Sequence, residues 1–78
     1  MANEGGVAAV DRALTILDAF READQSLTLT EISKRVGFYK STTLRLAESL
    51  EKFGYLRRLE DGAFRLGPKP LFLGSLYL

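Results

Sequence analysis

Between Lys40 and Arg45 the chain reads Lys-Ser-Thr-Thr-Leu-Arg. Cationic and hydroxyl side chains gathered in the first two turns of a helix suit hydrogen bonds to anions and to the polar edges of bases. Arg45 lies about one turn beyond Ser41. Its planar guanidinium can meet both acceptors of a guanine, clamp a phosphate, or pair with Glu48 at i,i+3. Ser41 and Thr42 suit phosphate or base hydrogen bonds, and Thr42, nearer the apolar side, can pack instead. Lys40 fits a phosphate better than a base. Leu44 falls on the outward face, where it can contact a thymine methyl or be one of the scattered exposed leucines common on protein surfaces. Tyr39, at the helix start, can add a contact or pack.

These side chains need a helix and something to hold it. The preceding segment supplies a first helix with its own start and stop. Thr28 and Glu31 stand in the spacing of a capping box, Ile32 and Val36 share a face one turn apart, and Gly37 suits a left-handed stop. The second helix starts near Tyr39–Lys40 and ends before Gly54, with Thr43, Leu46, Ala47, Leu50 and Phe53 along its buried side. After Gly54 the period changes from helix to strand. Tyr55 to Leu59, then Glu60-Asp61-Gly62, then Ala63 to Leu66 read as a hairpin, because the tight turn needs positive φ. Arg57, Arg58 and Arg65 on that hairpin can reach phosphates or a minor groove, or serve as solubilising charges. A short helix, a turn, a longer basic helix and a hairpin predict a winged helix-turn-helix, a fold that is mainly α with a small β-hairpin wing.

Upstream, Val7 to Ala23 is helical in pattern. Val10, Ala13, Leu14, Leu17 and Phe20 form a stripe with Ile16 beside it, as for a core-packing helix whose N-terminal part can serve a partner. Residues 1–6 are polar and glycine-rich, and a flexible tail is expected there. Leu27 to Leu29 can add a short strand to the hairpin. Downstream, Gly67-Pro68-Lys69-Pro70 punctuates the chain before an apolar run from Leu71 to Leu78. That run can pack on this domain, pair with another copy, or begin a linker helix. Its abrupt end favours a fragment of something longer. The expected division is a tail (1–6), a winged helix-turn-helix (7–67) and a linker helix (68–78).

Composition narrows the chemistry. Seventy-eight residues make one small domain, which gains from dimerisation or a partner domain. The chain has no Cys and no His, removing thiolate and imidazole ligands, cysteine nucleophiles and the commonest general base. No cofactor or metal is expected, and the scattered carboxylates give no catalytic constellation. No apolar run approaches a membrane span, and no secretory leader is evident, so a cytoplasmic protein is the default. Net charge is only +1, yet residues 1–33 carry a net −4 and residues 34–78 a net +5. The positive charge gathers on the second helix and the hairpin, which favours a polyanionic partner over charges that simply balance.

Four stretches resemble the N-terminal DNA-binding domain of the IclR family of bacterial and archaeal transcriptional regulators. They are Asp11-Arg12-Ala13-Leu14-Thr15-Ile16-Leu17, Leu29-Thr30-Glu31-Ile32, Gly37 to Leu46, and Phe64-Arg65-Leu66-Gly67-Pro68-Lys69. The likeness runs from about Val7 to Leu78, and its most specific parts are K-S-T-x-x-R-L and F-R-L-G-P-K. It implies a winged helix-turn-helix joined by a linker helix to a C-terminal effector-binding domain, which this chain lacks. It also implies homodimers or tetramers on a roughly palindromic operator near a promoter. By position it puts Lys40, Ser41, Thr42, Leu44 and Arg45 in the recognition helix. Such regulators repress or activate genes of carbon metabolism, often for aromatic compounds, glyoxylate or sugar acids. Many relatives have Leu-Pro where this chain has Phe38-Tyr39.

The resulting expectation is a sequence-specific reader of double-stranded DNA, dimeric through its first helix and its C-terminal linker. The competing reading is a winged helix whose basic face meets an acidic protein. Salt dependence and competition by random duplex separate the two.

Overall fold

The computed structural model describes residues 5–77, so the expected tail falls largely outside the described residues. The order is α1 (Ala8–Asp18), α2 (Leu29–Val36), α3 (Lys40–Lys52), β1 (Leu56–Arg58), β2 (Phe64–Leu66) and α4 (Pro68–Ser75). Ile16, Leu27, Ile32, Ala47, Leu50, Leu56 and Phe64 form one buried cluster, which draws on α1, α2, α3, both strands and the α1–α2 connection. A domain of this size has room for little more than one such cluster.

α2 begins and ends as its sequence requires. The Glu31 backbone N–H donates to Thr28 Oγ1 at 3.1 Å, and the Thr28 N–H donates to Glu31 Oε1 at 2.8 Å. Gly37 closes the helix at φ +79°, a left-handed conformation that costs a side-chain-free residue little. α3 ends in a Schellman arrangement: Gly54, at φ +84°, donates to the Glu51 carbonyl, and Tyr55 donates to the Leu50 carbonyl.

α1 departs from its expected extent. It stops at Asp18, not Ala23, and its last turn tightens as Ala19 donates to Ile16 O and Phe20 to Leu17 O. The Ala19 carbonyl is taken by the Arg35 guanidinium at 2.9 Å. The Arg21 N–H is taken by the Asp24 carboxylate at 2.8 Å. These partners, one of them from α2, divert the backbone from a continued helix. The buried face is also rotated. Ile16 is its centre, Ala13, Leu17 and Phe20 flank it, and Val10 and Leu14 are exposed. On α3, Thr43, Ala47 and Leu50 are buried as expected, but Phe53 is 64% exposed. The helix has ended one residue earlier, and Phe53 leaves the helical path as the cap.

The hairpin pairs Leu56 with Leu66, Arg57 with Arg65 and Arg58 with Phe64. Its loop is Glu60-Asp61-Gly62. Gly62 alone is left-handed, at φ +88°, and donates to Leu59 O, while Asp61 Oδ1 accepts from Ala63 N–H. The strand expected at Leu27–Leu29 is reduced to one pair: Leu27 and Phe64 exchange two backbone hydrogen bonds of 2.8 Å. Leu29 is already the first residue of α2.

Among the described residues Asp24 and Arg35 form an ion pair, at 2.6 Å. The Arg35 guanidinium, then the Arg21 N–H, hold the Asp24 carboxyl below its ordinary pKa. A carboxylate with a depressed folded pKa stabilises the fold above its unfolded pKa and loses that contribution as pH falls through the folded value. Asp24→Asn is therefore expected to lower Tm at neutral pH. It should also flatten the fall of Tm on acidification, in the window from the usual carboxylate range down to the depressed value. Thermal melts of both proteins across that window check this.

Candidate nucleic-acid interface

The two ends of the helix-turn-helix contrast in their hydrogen bonding. α2 satisfies its first turn with its own side chains. The N-cap of α3, Tyr39, supplies no side-chain acceptor, and no acidic residue stands in that first turn. The N–H groups of an uncapped helix start favour an external anion, most readily a phosphate. Lys40 and Ser41 are exposed beside them, and Tyr39 is 85% exposed.

Within α3 the expected reader residues divide. Arg45 is exposed on the outer side with Lys40 and Ser41. Among the described residues it forms no ion pair, so the alternative pairing with Glu48 is not made. Thr42 is half-buried. Leu44, expected on the outward face, is half-buried and packs against the core. The helical period brings Leu44 past the edge of the buried stripe, close enough to touch the cluster. Thr43 is fully buried and returns its hydroxyl to the Tyr39 carbonyl at 3.0 Å.

The three hairpin arginines divide as well. Side chains alternate between faces along a strand. Leu56, Arg58, Phe64 and Leu66 therefore share one face, and Arg57 and Arg65 stand directly opposite each other on the other. Like charges directly opposed across a hairpin are unfavourable by themselves, and an anion between them reverses that sign. Arg58 is engaged within the fold: its guanidinium carbon lies 5.1 Å from the centroid of the Phe64 ring, and its Nε donates to Gly62 O at 3.4 Å.

Arg12 was not among the residues singled out from the sequence. It reaches from α1 to line a polar groove of about 450 Å³ with Gly37, Phe38, Tyr39 and Thr42, beside the open start of α3. Periodicity shows Arg12 only as a polar residue of α1. Its nearness to α3 arises from the packing of the two helices, for which the local pattern carries no signal. α1 and α3 also enclose an apolar groove of about 380 Å³, whose lining includes Val10, Leu14, Leu46, Leu50 and Tyr55.

A self-capped helix, a glycine turn, a second helix with an open basic start, and an arginine-bearing hairpin define a winged helix-turn-helix domain of the nucleic-acid-binding kind. Residues 9–60 match the model of the IclR helix-turn-helix domain. The chain belongs to the IclR family of DNA-binding transcriptional regulators. It is 44% identical over 64 residues to the HTH-type transcriptional regulator XynR of Escherichia coli K12, covering 81% of this chain and 25% of that protein. It is 32% identical over 75 residues to the transcriptional repressor IclR of the same organism, covering 95% of this chain and 27% of the relative. Among solved structures, an IclR family transcriptional regulator from Brucella abortus superposes with a TM-score of 0.86 at 31% identity, over 97% of this chain and 30% of that one. An IclR regulator from Alicyclobacillus acidocaldarius gives 0.83 at 32% identity, over 91% and 29%. The chain thus spans about a quarter of the length of the two curated relatives. These relatives are regulators and not enzymes. Among the described residues no helix is long and apolar enough to cross a membrane.

The division of the arginines is open to test. Arg57→Ala and Arg65→Ala are each expected to weaken binding to any duplex and to reduce the salt slope by about one. Arg58→Ala is expected to leave the slope unchanged and to lower Tm by roughly 2–6 °C through loss of its contact with Phe64. Fluorescence anisotropy at several salt concentrations, with melts alongside, separates the two outcomes.

Proposed function

We propose that this chain reads a roughly palindromic operator as a dimer and that its occupancy alters access of RNA polymerase to a nearby promoter. The observation that carries this reading is the open N-terminus of α3, with Lys40, Ser41 and Arg45 exposed around it. In each half-site α3 enters the major groove, with Arg45 positioned to meet base acceptors and Ser41 and Thr42 to meet bases or phosphate. Lys40 and Arg12 neutralise phosphates on either side of the helix start, and Tyr39 lies against the backbone between them. Leu44, at the edge of the core, offers its exposed part to a thymine methyl. Arg57 and Arg65 engage phosphates flanking the site.

The dimer forms through α1 and α4. Val10 and Leu14 on α1 are exposed in the lining of the apolar groove and Val7 is exposed at the N-cap of that helix, while Leu71 and Phe72 on α4 and Leu76 at its C-cap are exposed too. Apolar side chains left in water at this density mark a surface that is covered in use. Two-fold symmetry of the dimer matches a palindromic site. α4 serves as the linker helix to an effector-binding domain, through which a small molecule sets occupancy, and the protein works in the cytoplasm. Residues 7–67 are the reader and 68–78 the linker.

The test is a titration against promoter DNA beside the chain's own gene, with random duplex as competitor, at two salt concentrations. Salt-sensitive binding that prefers the promoter is expected. Salt-insensitive association, or none with any duplex at low salt, overturns the reading in favour of a protein partner for the basic face. Two substitutions sharpen the result. Arg45→Ala is expected to cost about 1–3 kcal/mol on the operator and to relax preference at one position. Arg12→Ala is expected to weaken operator and random duplex equally, as loss of a phosphate contact does. Competition against single-base operator variants distinguishes them.

A further inference from the structure

We infer that Gly67 is a positioning residue: its close approach to Gly54 couples the direction of α4 to the recognition helix and so sets the half-site spacing a dimer accepts. The inference deepens the dimeric reading proposed above and rests on it.

Gly67 precedes α4 with φ −85° and ψ −169°, a conformation open to any residue. Backbone freedom is therefore not the reason for a glycine. Space is: a Cβ at Gly67 would run into the Gly54 carbonyl oxygen, 3.1 Å from its carbon and 3.3 Å from the Leu56 carbonyl carbon. The three nearest atoms are all backbone, which cannot turn aside as a flexible side chain can.

What the contact joins gives it a role. Gly54 and Tyr55 each bond in two directions. Through their N–H groups they close the C-terminus of α3, donating to Glu51 O at 3.0 Å and Leu50 O at 2.8 Å. Through their carbonyls they hold the start of α4, accepting from Lys69 N at 3.0 Å and Gly67 N at 2.9 Å. The Lys69 ammonium also lies over the Tyr55 ring, 5.7 Å from its centroid. One dipeptide thus clamps the end of the recognition helix to the first turn of the next. Beyond that turn the side chains of α4 are exposed, Leu71 at 80%. The direction of α4 is consequently fixed at its root. Eight residues of helix extend about 12 Å, so a tilt at the root displaces the far end, where a dimer contact would form.

The test uses operator duplexes remade with their half-sites moved together or apart by single base pairs, and the chain compared with Gly67→Ala. The unaltered chain is expected to bind two copies per operator with one preferred spacer. Gly67→Ala is expected to lose affinity on that spacer by roughly tenfold or more, because misaligned readers forfeit part of their joint binding, and to prefer another spacing. Its affinity for an isolated half-site, and its base preference there, should remain. A role in fold stability alone would lower half-site and operator binding together and leave the preferred spacing alone. Should Gly67→Ala lose half-site binding, Lys69→Ala decides instead. It removes the cation from the Tyr55 ring, introduces no clash, and is expected to broaden the spacer profile. An unchanged spacer profile in either folded variant overturns the inference while the dimeric reading stands. One chain per duplex and no spacer preference in the unaltered chain overturns both.

Discussion

Phe64 holds the wing and the helices to one another. Its ring is fully buried in the cluster that also contains Ile16, Ile32 and Ala47, so it packs where α1, α2 and α3 converge. Its backbone simultaneously exchanges both hydrogen bonds with Leu27, the residue just before the cap of α2, while its strand pairs with β1. The Arg58 guanidinium lies over the ring. Burying a side chain of this size contributes about 1.5–3 kcal/mol, a large share of the margin of a small domain. The relation between α3 and the hairpin depends on this one residue more than on the two three-residue strands, which would not persist alone.

Around that centre the domain treats its polar groups in two ways. Structural ones are satisfied internally: the Thr28–Glu31 box, the Asp24–Arg35 pair that draws the Ala19 carbonyl aside, and the Thr43 hydroxyl turned back on Tyr39. Those on the proposed interface are left open. α3 starts without a side-chain cap, and Arg57 faces Arg65. Each of these costs a little in the free protein and becomes favourable beside an anion. A phosphate backbone presents such anions at regular spacing, so the open groups share one kind of partner.

The helix-turn-helix was legible because its signals are local. A capping box needs residues three apart, a left-handed stop needs one glycine, and the Asp-Gly hairpin sits between two short strands. The limits of α2 and the start of α3 match expectation for that reason, and α3 stops one residue short of its expected end. The resemblance to IclR regulators then agreed with the domain match, which includes K-S-T-x-x-R-L, and with the superposed structures. The polar candidates Lys40, Ser41 and Arg45 are exposed together on α3, as the periodicity of one helix implies.

Contacts between distant segments decided the rest. Arg35, in α2, ends α1 early by taking a carbonyl that a longer helix would have used. Packing against α2 and α3 turned α1 so that Ile16, not Val10 or Leu14, became its buried centre. Pairing register separated Arg58 from Arg57 and Arg65, although the three read alike in sequence. Arg12 came beside the start of α3 only when two helices packed. The sequence by itself determined which segments are helix, turn and hairpin, and where the positive charge lies, because those depend on neighbours a few residues apart. The tertiary structure alone decided which side chains face the core and which cations share a surface. Helices leave their rotation about their own axes to be set by what packs against them.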